Sequence, residues 1–286
     1  MIDRQNLILL LTFLIFSACN YFKKSSDKIS MNQKNQDEIK YRPQIHFSPK
    51  ENWMNDPNGM FYYKGKYHLY FQHNPNSNVW GPMHWGHAIS EDLVSWQQQP
   101  LALFPDDLGT IFSGSAVVDL KNTSGFGTIE NPPIIAIYTN HNSREEKNGS
   151  KKFQNQSIAY SLDEGQTWTK YNQNPVIENP GMIDFRDPKV FWYAIQNKWV
   201  LTLAAGQQTQ FYESKDLKNW SYLSSFGKGI GKHKGVWECP DFFELSVEGS
   251  KETKWVHLVS INSGGPNGGS ATQYFVGDFD GKNFFI

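Results

Sequence analysis

The chain has 286 residues, with 27 basic and 28 acidic side chains and a formal net charge of -1. That balance excludes a nucleic-acid-binding surface, which needs a basic surplus to displace counterions from phosphates. Apolar residues are 38% of the chain, too few for a protein of many membrane spans, whereas 15% aromatics exclude a largely disordered one. The length suffices for one large domain or two small ones. Flat aromatic faces also stack on the apolar faces of sugar rings, although most of the Trp and Phe are expected to fill a β-rich core.

In chain order, the first element is an apolar run from Leu7 to Phe16, broken only by Thr12. It is about half the ~20 residues needed to span a bilayer, but suits a signal-peptide core. Ser17 and Ala18 then precede Cys19. This resembles a bacterial lipoprotein signal, in which cleavage falls before a cysteine whose thiol is lipidated; Phe16 stands where such signals usually carry Leu. The competing reading is an ordinary secretory signal with an incidental cysteine. Residues 20–40 are mostly Lys, Ser, Asn, Gln, Asp and Glu and bury too little to order themselves, so they read as a tether. With Cys19 lipidated, Cys239 has no partner, and stability must come from packing alone. The expected organisation is a signal at 1–18, a lipidated cysteine and tether at 19–40, and a folded domain at 41–286. The protein is then exported and held at the bacterial cell envelope, touching the membrane only through its lipid.

From Tyr41 onward, short β-type runs alternate with Gly, Pro, Asn and Asp; examples are Tyr67–Phe71, Ile134–Tyr138, Trp199–Leu203 and Trp255–Val259. No stretch sustains a helical period, so the domain is expected to be all-β. A turn pattern recurs: Ser90 to Trp96, Ser161 to Trp168, Ser214 to Trp220, and a degenerate Asp278 to Phe284. Each reads as an Asp-led hairpin turn followed by an aromatic that anchors the next strand. Such repetition predicts stacked sheets, of which a β-propeller is the closed form; a β-sandwich reusing similar turns is the alternative.

Ahead of each turn lies a polar motif: Asn55-Asp56-Pro57-Asn58-Gly59, Phe112-Ser113-Gly114-Ser115, Arg186-Asp187-Pro188, and Trp237-Glu238-Cys239-Pro240-Asp241. Each introduces a β run, so each is expected to begin the innermost strand of its own sheet and to converge on one funnel. Three deliver a carboxylate beside proline, which fixes the chain direction where the side chain must be aimed. Carboxylates facing one pocket are what glycosidic-bond cleavage requires, one ionised and one held protonated. A single Asp or Glu is weak evidence, since turn carboxylates are common; three in register with a repeat are much stronger.

Trp53 to Gly59, with Arg186-Asp187-Pro188 and Glu238-Cys239-Pro240, resembles glycoside hydrolase family 32, the invertases, levanases and inulinases. The likeness runs over about residues 41–286 and includes Tyr67 to Pro75, Trp80-Gly81, His84 to Ala88, and Gly264 to Gly281. It implies a five-bladed β-propeller followed by a β-sandwich, and release of terminal fructosyl units from levan, inulin or sucrose with retention. By that resemblance Asp56 is the nucleophile, Glu238 the acid and then the base, and Asp187 the transition-state partner, with Arg186 keeping a neighbouring carboxylate ionised. Asn55, Gln72, Trp80, Phe112, Ser113 and Arg186 are expected to bind the fructosyl unit, and Cys239 to pack behind the acid.

No cofactor is implied and no metal: His84 and His87 are three apart on a β run and project to opposite faces, which suits core packing. The glycines from Gly264 to Gly269 read as a loop on the active-site side. Only four turn marks occur before Ile286, so about four of the five expected blades are covered and the sandwich is absent. That predicts a truncated member whose ring does not close, and keeps an inactive or non-catalytic fructan-binding lipoprotein as the alternative. A further reading is the sister family of arabinan- and xylan-cleaving propellers, which lacks the Asn-Asp-Pro-Asn-Gly and Glu-Cys-Pro context.

Overall fold

Four antiparallel sheets of four strands, each a simple meander, make up the chain from Trp53 onward in a computed structural model that describes residues 41–43 and 45–286. The apolar run, Cys19 and the tether lie outside the described residues. Residues 41–48 form a small unit of their own, in which the Arg42 guanidinium donates to the Ser48 hydroxyl and carbonyl.

The first sheet holds β1 (Trp53–Tyr63), β2 (Lys66–Asn74), β3 (His84–Ser90) and β4 (Trp96–Leu103). The second holds β5 (Thr110–Val118), β6 (Ile134–His141), β7 (Gln154–Ser161) and β8 (Thr169–Lys170). The third holds β9 (Phe185–Tyr193), β10 (Lys198–Ala205), β11 (Thr209–Ser214) and β12 (Trp220–Phe226). The fourth holds β13 (Trp237–Ser246), β14 (Thr253–Ile261), β15 (Ala271–Phe279) and β16 (Phe284–Phe285). β1 packs beside β5, β5 beside β9 and β9 beside β13, which makes the sheets the blades of a propeller. The all-β expectation holds. The one departure is a short helix between β6 and β7, α1 (Ser143–Lys147), capped by the Asn142 side chain, which accepts from the amides of Arg144 and Glu145.

The recurrent turn joins the third and fourth strand of every blade, and its chemistry explains why it recurs. In the first blade the Ser90 hydroxyl accepts from Leu93 N at 2.8 Å, while Asp92 Oδ1 accepts from Val94 N and Ser95 N at 2.8 and 2.6 Å. In the third, Ser214 and Asp216 hold Leu217, Lys218 and Asn219 in the same way. Leu93 and Leu217 both adopt positive φ, 65° and 63°, because the serine and aspartate claim the amides on either side. The following indole closes the turn, Trp96 donating to Leu93 O and Trp220 to Leu217 O.

The core lies between the blades. Tyr70, Trp85, Ala116 and Tyr138 fill the first interface, and Ile135, Ile137, Leu201 and Leu203 the second; Phe211, Phe226, Phe242 and Phe279 fill the third. His87 faces inward on β3 and stacks on Tyr70 at 4.2 Å, the packing role expected for it, whereas His84 points the other way and bonds Pro82 O. Gly59 has φ 50°, and a Cβ there would come within 2.9 Å of the Tyr70 ring, so the last residue of Asn-Asp-Pro-Asn-Gly must be glycine. On the fourth blade Leu245, Tyr274, Val276 and Phe285 remain exposed.

Candidate active site

The four polar motifs sit at the same end of the innermost strands β1, β5, β9 and β13, and together they line one cavity of about 460 Å³. Asn55, Asp56, Gln72, Trp80, Phe112, Ser113, Arg186, Asp187 and Glu238 all face it, joined by Cys239. Every residue that the sequence assigned to one pocket is therefore brought to one pocket.

Asp56 is held from two sides: Ser113 Oγ donates to its Oδ2 at 2.6 Å, and the Cys239 thiol lies 3.6 Å from the same oxygen. The chain around it is tied down by Asn58, whose amide donates to Asp56 O and accepts from Gly114 N at 3.1 Å. Trp53 Nε1 donates to Asn55 Oδ1 at 2.8 Å and fixes that amide beside the carboxylate.

Asp187 is buried, and its backbone lies in the left-handed region at φ 62°. Its Oδ2 accepts from Cys239 N at 3.0 Å and lies 3.7 Å from both the Cys239 thiol and Arg186 Nε. Cys239 itself has φ 45°, which turns its amide toward Asp187. The cysteine is more than packing behind the acid. Burial first, and then Asp187, Asp56 and Glu238, push its thiol well above the ordinary range, so it stays protonated and able to donate.

Arg186 ties the third carboxylate in. Its NH2 donates to Glu238 Oε1 at 2.9 Å, and its NH1 pairs with Asp184. Burial alone would lower the guanidinium pKa, but Asp187, Asp184 and Glu238 together raise it. Beside it the sequence expectation fails in part. Burial pushes the Asp187 carboxyl up to about 6, and outweighs the opposing pull of Arg186 and the Cys239 amide; Asp56 and Glu238 push it further up.

The sign of that shift makes a prediction. A folded-state pKa raised above the ordinary 3.8 contributes stability that is complete below pH 3.8 and lost as pH rises through about 6. Above pH 6, ionised Asp187 therefore costs the fold up to about 3 kcal/mol. Asp187→Asn is expected to raise stability by about that amount at pH 8 and to converge with the wild type near pH 4. Urea unfolding of both proteins at the two pH values checks this, and a variant less stable than wild type at pH 8 contradicts it.

The aromatic wall is also built in layers. Trp80, 56% exposed, meets Phe112 edge-on at 6.1 Å, and Phe112 stacks flat on His141 at 4.2 Å. Gln154 Nε2 donates to His141 Nδ1 at 3.3 Å, so His141 Nε2 carries the proton and donates to Glu146 of α1 at 3.1 Å. Gln72 is 2% exposed and lines the cavity, and its Nε2 finds no protein partner among the described residues. A buried amide donor aimed at a cavity is suited to a hydroxyl of a bound sugar.

The sequence missed His141, Glu146, Phe153, Gln154, Asp184 and Ser260, which also line the cavity. One signal was present for part of this set: the polar Thr139-Asn140-His141 ends an otherwise apolar strand that is buried throughout. Among the described residues no group of His, Cys, Asp and Glu could hold a metal ion, and no helix is long and apolar enough to cross a membrane.

A family model described as the glycosyl hydrolases family 32 N-terminal domain matches residues 46–286. The chain is 60% identical over 245 residues to a levanase of Bacillus subtilis strain 168, covering 85% of this chain and 35% of that protein. It is 48% identical over 265 residues to an extracellular exo-inulinase of Aspergillus ficuum, covering 85% of this chain and 49% of that one. Of solved structures, an exo-inulinase from Aspergillus awamori superimposes with a TM-score of 0.78 at 45% identity, over 86% of this chain and 51% of that one. A fructofuranosidase from Schwanniomyces occidentalis, complexed with fructose, gives 0.77 at 47% identity, over 85% of this chain and 48% of that one. The chain spans between about a third and a half of the length of these relatives.

Proposed function

The chain belongs to glycoside hydrolase family 32, and from that premise we propose that it cleaves terminal β-D-fructofuranosyl units from levan, inulin or sucrose with retention at C2. The observation that carries this reading is the convergence of Asp56, Asp187 and Glu238 on one cavity, cross-linked through Cys239 and Arg186. A fructan-binding protein without catalysis has no use for three carboxylates so placed.

In the first step Asp56 attacks C2 of the fructosyl unit and the bond to the leaving oxygen breaks. Ser113 and the Cys239 thiol both engage Oδ2, which leaves Oδ1 as the attacking oxygen. Glu238 gives its proton to the leaving oxygen, so that the leaving sugar departs neutral. In the second step Glu238 takes a proton from water, water attacks C2, and Asp56 is released as carboxylate. Asp187 accepts hydrogen bonds from fructose hydroxyls, and these strengthen as charge develops on the ring. Gln72 and Asn55 supply amide contacts, while Trp80 and Phe112 cover the apolar edge of the ring and exclude water.

Extracellular exo-inulinases are among the similar proteins, which supports an exported protein. The lipid anchor at Cys19 rests on the sequence alone. Incubating the chain with sucrose, inulin and levan tests the reading: free fructose is expected from at least one of them. A folded chain that releases none, or that releases arabinose or xylose from their polymers instead, overturns it.

A further inference from the structure

The third blade presents its innermost strand, β9, as a sheet edge toward the second blade, and an edge strand leaves its backbone N–H and C=O groups without ladder partners. Here side chains of the second blade supply them. Phe185 N donates to Gln154 Oε1 at 3.0 Å, and Gln156 Nε2 donates to Phe185 O at 2.9 Å. Asp187 N donates to Thr139 Oγ1 at 3.0 Å. Ser115 Oγ donates to Pro188 O at 2.9 Å and accepts from Val190 N at 3.0 Å. Four buried polar side chains from β5, β6 and β7 thus replace a missing strand along Arg186-Asp187-Pro188.

Thr139 is the central member. It is fully buried, its hydroxyl proton goes to Gln156 Oε1 at 2.7 Å, and its oxygen is thereby oriented to receive the Asp187 amide. Gln156, equally buried, is fixed at its other end by Phe185 O. The residue so held has a left-handed backbone, a conformation that persists only where its surroundings over-determine it. Its carboxylate in turn receives the Cys239 amide from the fourth blade. The second and fourth blades therefore grip one residue from its two ends.

We propose that Thr139, oriented by Gln156, is a positioning residue that aims the Asp187 carboxylate into the cavity during hydrolysis. The proposal rests on the catalytic reading above. Its logic is that Asp187 acts by accepting hydroxyls that bind more tightly in the transition state, so a small displacement reduces kcat more than it weakens substrate binding. Thr139→Val keeps the shape of the side chain and removes the acceptor, leaving the Asp187 amide buried without a partner. Thr139→Ser keeps the hydroxyl.

The test compares wild type, Thr139→Val and Thr139→Ser, with kcat and KM measured per folded molecule on whichever of sucrose, inulin or levan the wild type cleaves. Thr139→Val is expected to lower kcat by about 10- to 100-fold, with KM within about threefold, and Thr139→Ser to recover most of the rate. A role confined to stability moves the melting temperature and leaves kcat of the folded molecules unchanged, and that result overturns the proposal. Hydrogen exchange at the Asp187 amide gives a readout that does not depend on activity: protection is expected to be lost in Thr139→Val and kept in Thr139→Ser. Unchanged protection in Thr139→Val overturns the proposal at its structural root. A wild type that releases no fructose sinks the catalytic reading separately, and the exchange result then decides alone whether Thr139 holds Asp187.

Discussion

Replacing Asp56 with Asn is expected to lower fructose release by at least about 10⁴-fold while leaving the fold intact, the scale seen when a covalent nucleophile is removed. Asparagine fills the same space, and its carbonyl oxygen can still accept the Ser113 hydroxyl that now meets Oδ2 at 2.6 Å. What it cannot do is form the acyl-type bond to C2. The loss should therefore fall on turnover, with sugar binding through Gln72, Asn55 and the aromatic wall largely kept. Measuring kcat and the affinity for fructose on the same sample separates the two. A variant within about tenfold of wild type in kcat means that another group attacks carbon.

Replacing Glu238 with Gln carries the second large effect, a loss of about 10²- to 10⁴-fold on natural fructosides. Glutamine keeps an oxygen for Arg186 NH2, which donates to Glu238 at 2.9 Å, so the wall of the cavity should stand. The deficit then depends on chemistry. A fructoside with a leaving group that needs no proton should regain much of the first step. The second step still lacks its base, so the fructosyl-enzyme should accumulate. A uniform loss on poor and good leaving groups alike places the acid elsewhere.

Much of this was legible because the repeat imposes it. The Ser-x-Asp turns are local chemistry, with side chains bonding amides two and three residues on, and they mark where each blade turns from its third strand to its fourth. The motif ahead of each turn then had to lie on an innermost strand, and β1, β5, β9 and β13 carry those motifs at their starts. Asp56, Asp187 and Glu238 could be placed on one cavity before any coordinate was known.

Other parts of the site were hidden, for physical reasons. Thr139, Gln154 and Gln156 act through space on the backbone of another blade, and nothing in their own spacing points to Phe185 or Asp187. Helix α1 is five residues long, too short for a periodic signal, although Asn142 before Glu145 and Glu146 is a readable cap. The direction of the Asp187 shift depends on how completely the carboxyl is buried against how near Arg186 comes, and sequence shows only the second. The left-handed backbone of Cys239, which makes it a donor to Asp187 as well as a filler of space, has no signature in the residues around it.

The reading as a whole reduces to one bond, between Asp56 and C2 of a fructosyl unit. The measurement that meets it directly is mass spectrometry of the Glu238→Gln protein after incubation with a fructoside whose leaving group needs no protonation. The account predicts a peptide containing Asp56 that carries one added fructosyl unit, and no such peptide when Asp56→Asn is added. Fructose release without any adduct on Asp56, or an adduct on a different carboxylate, would contradict it.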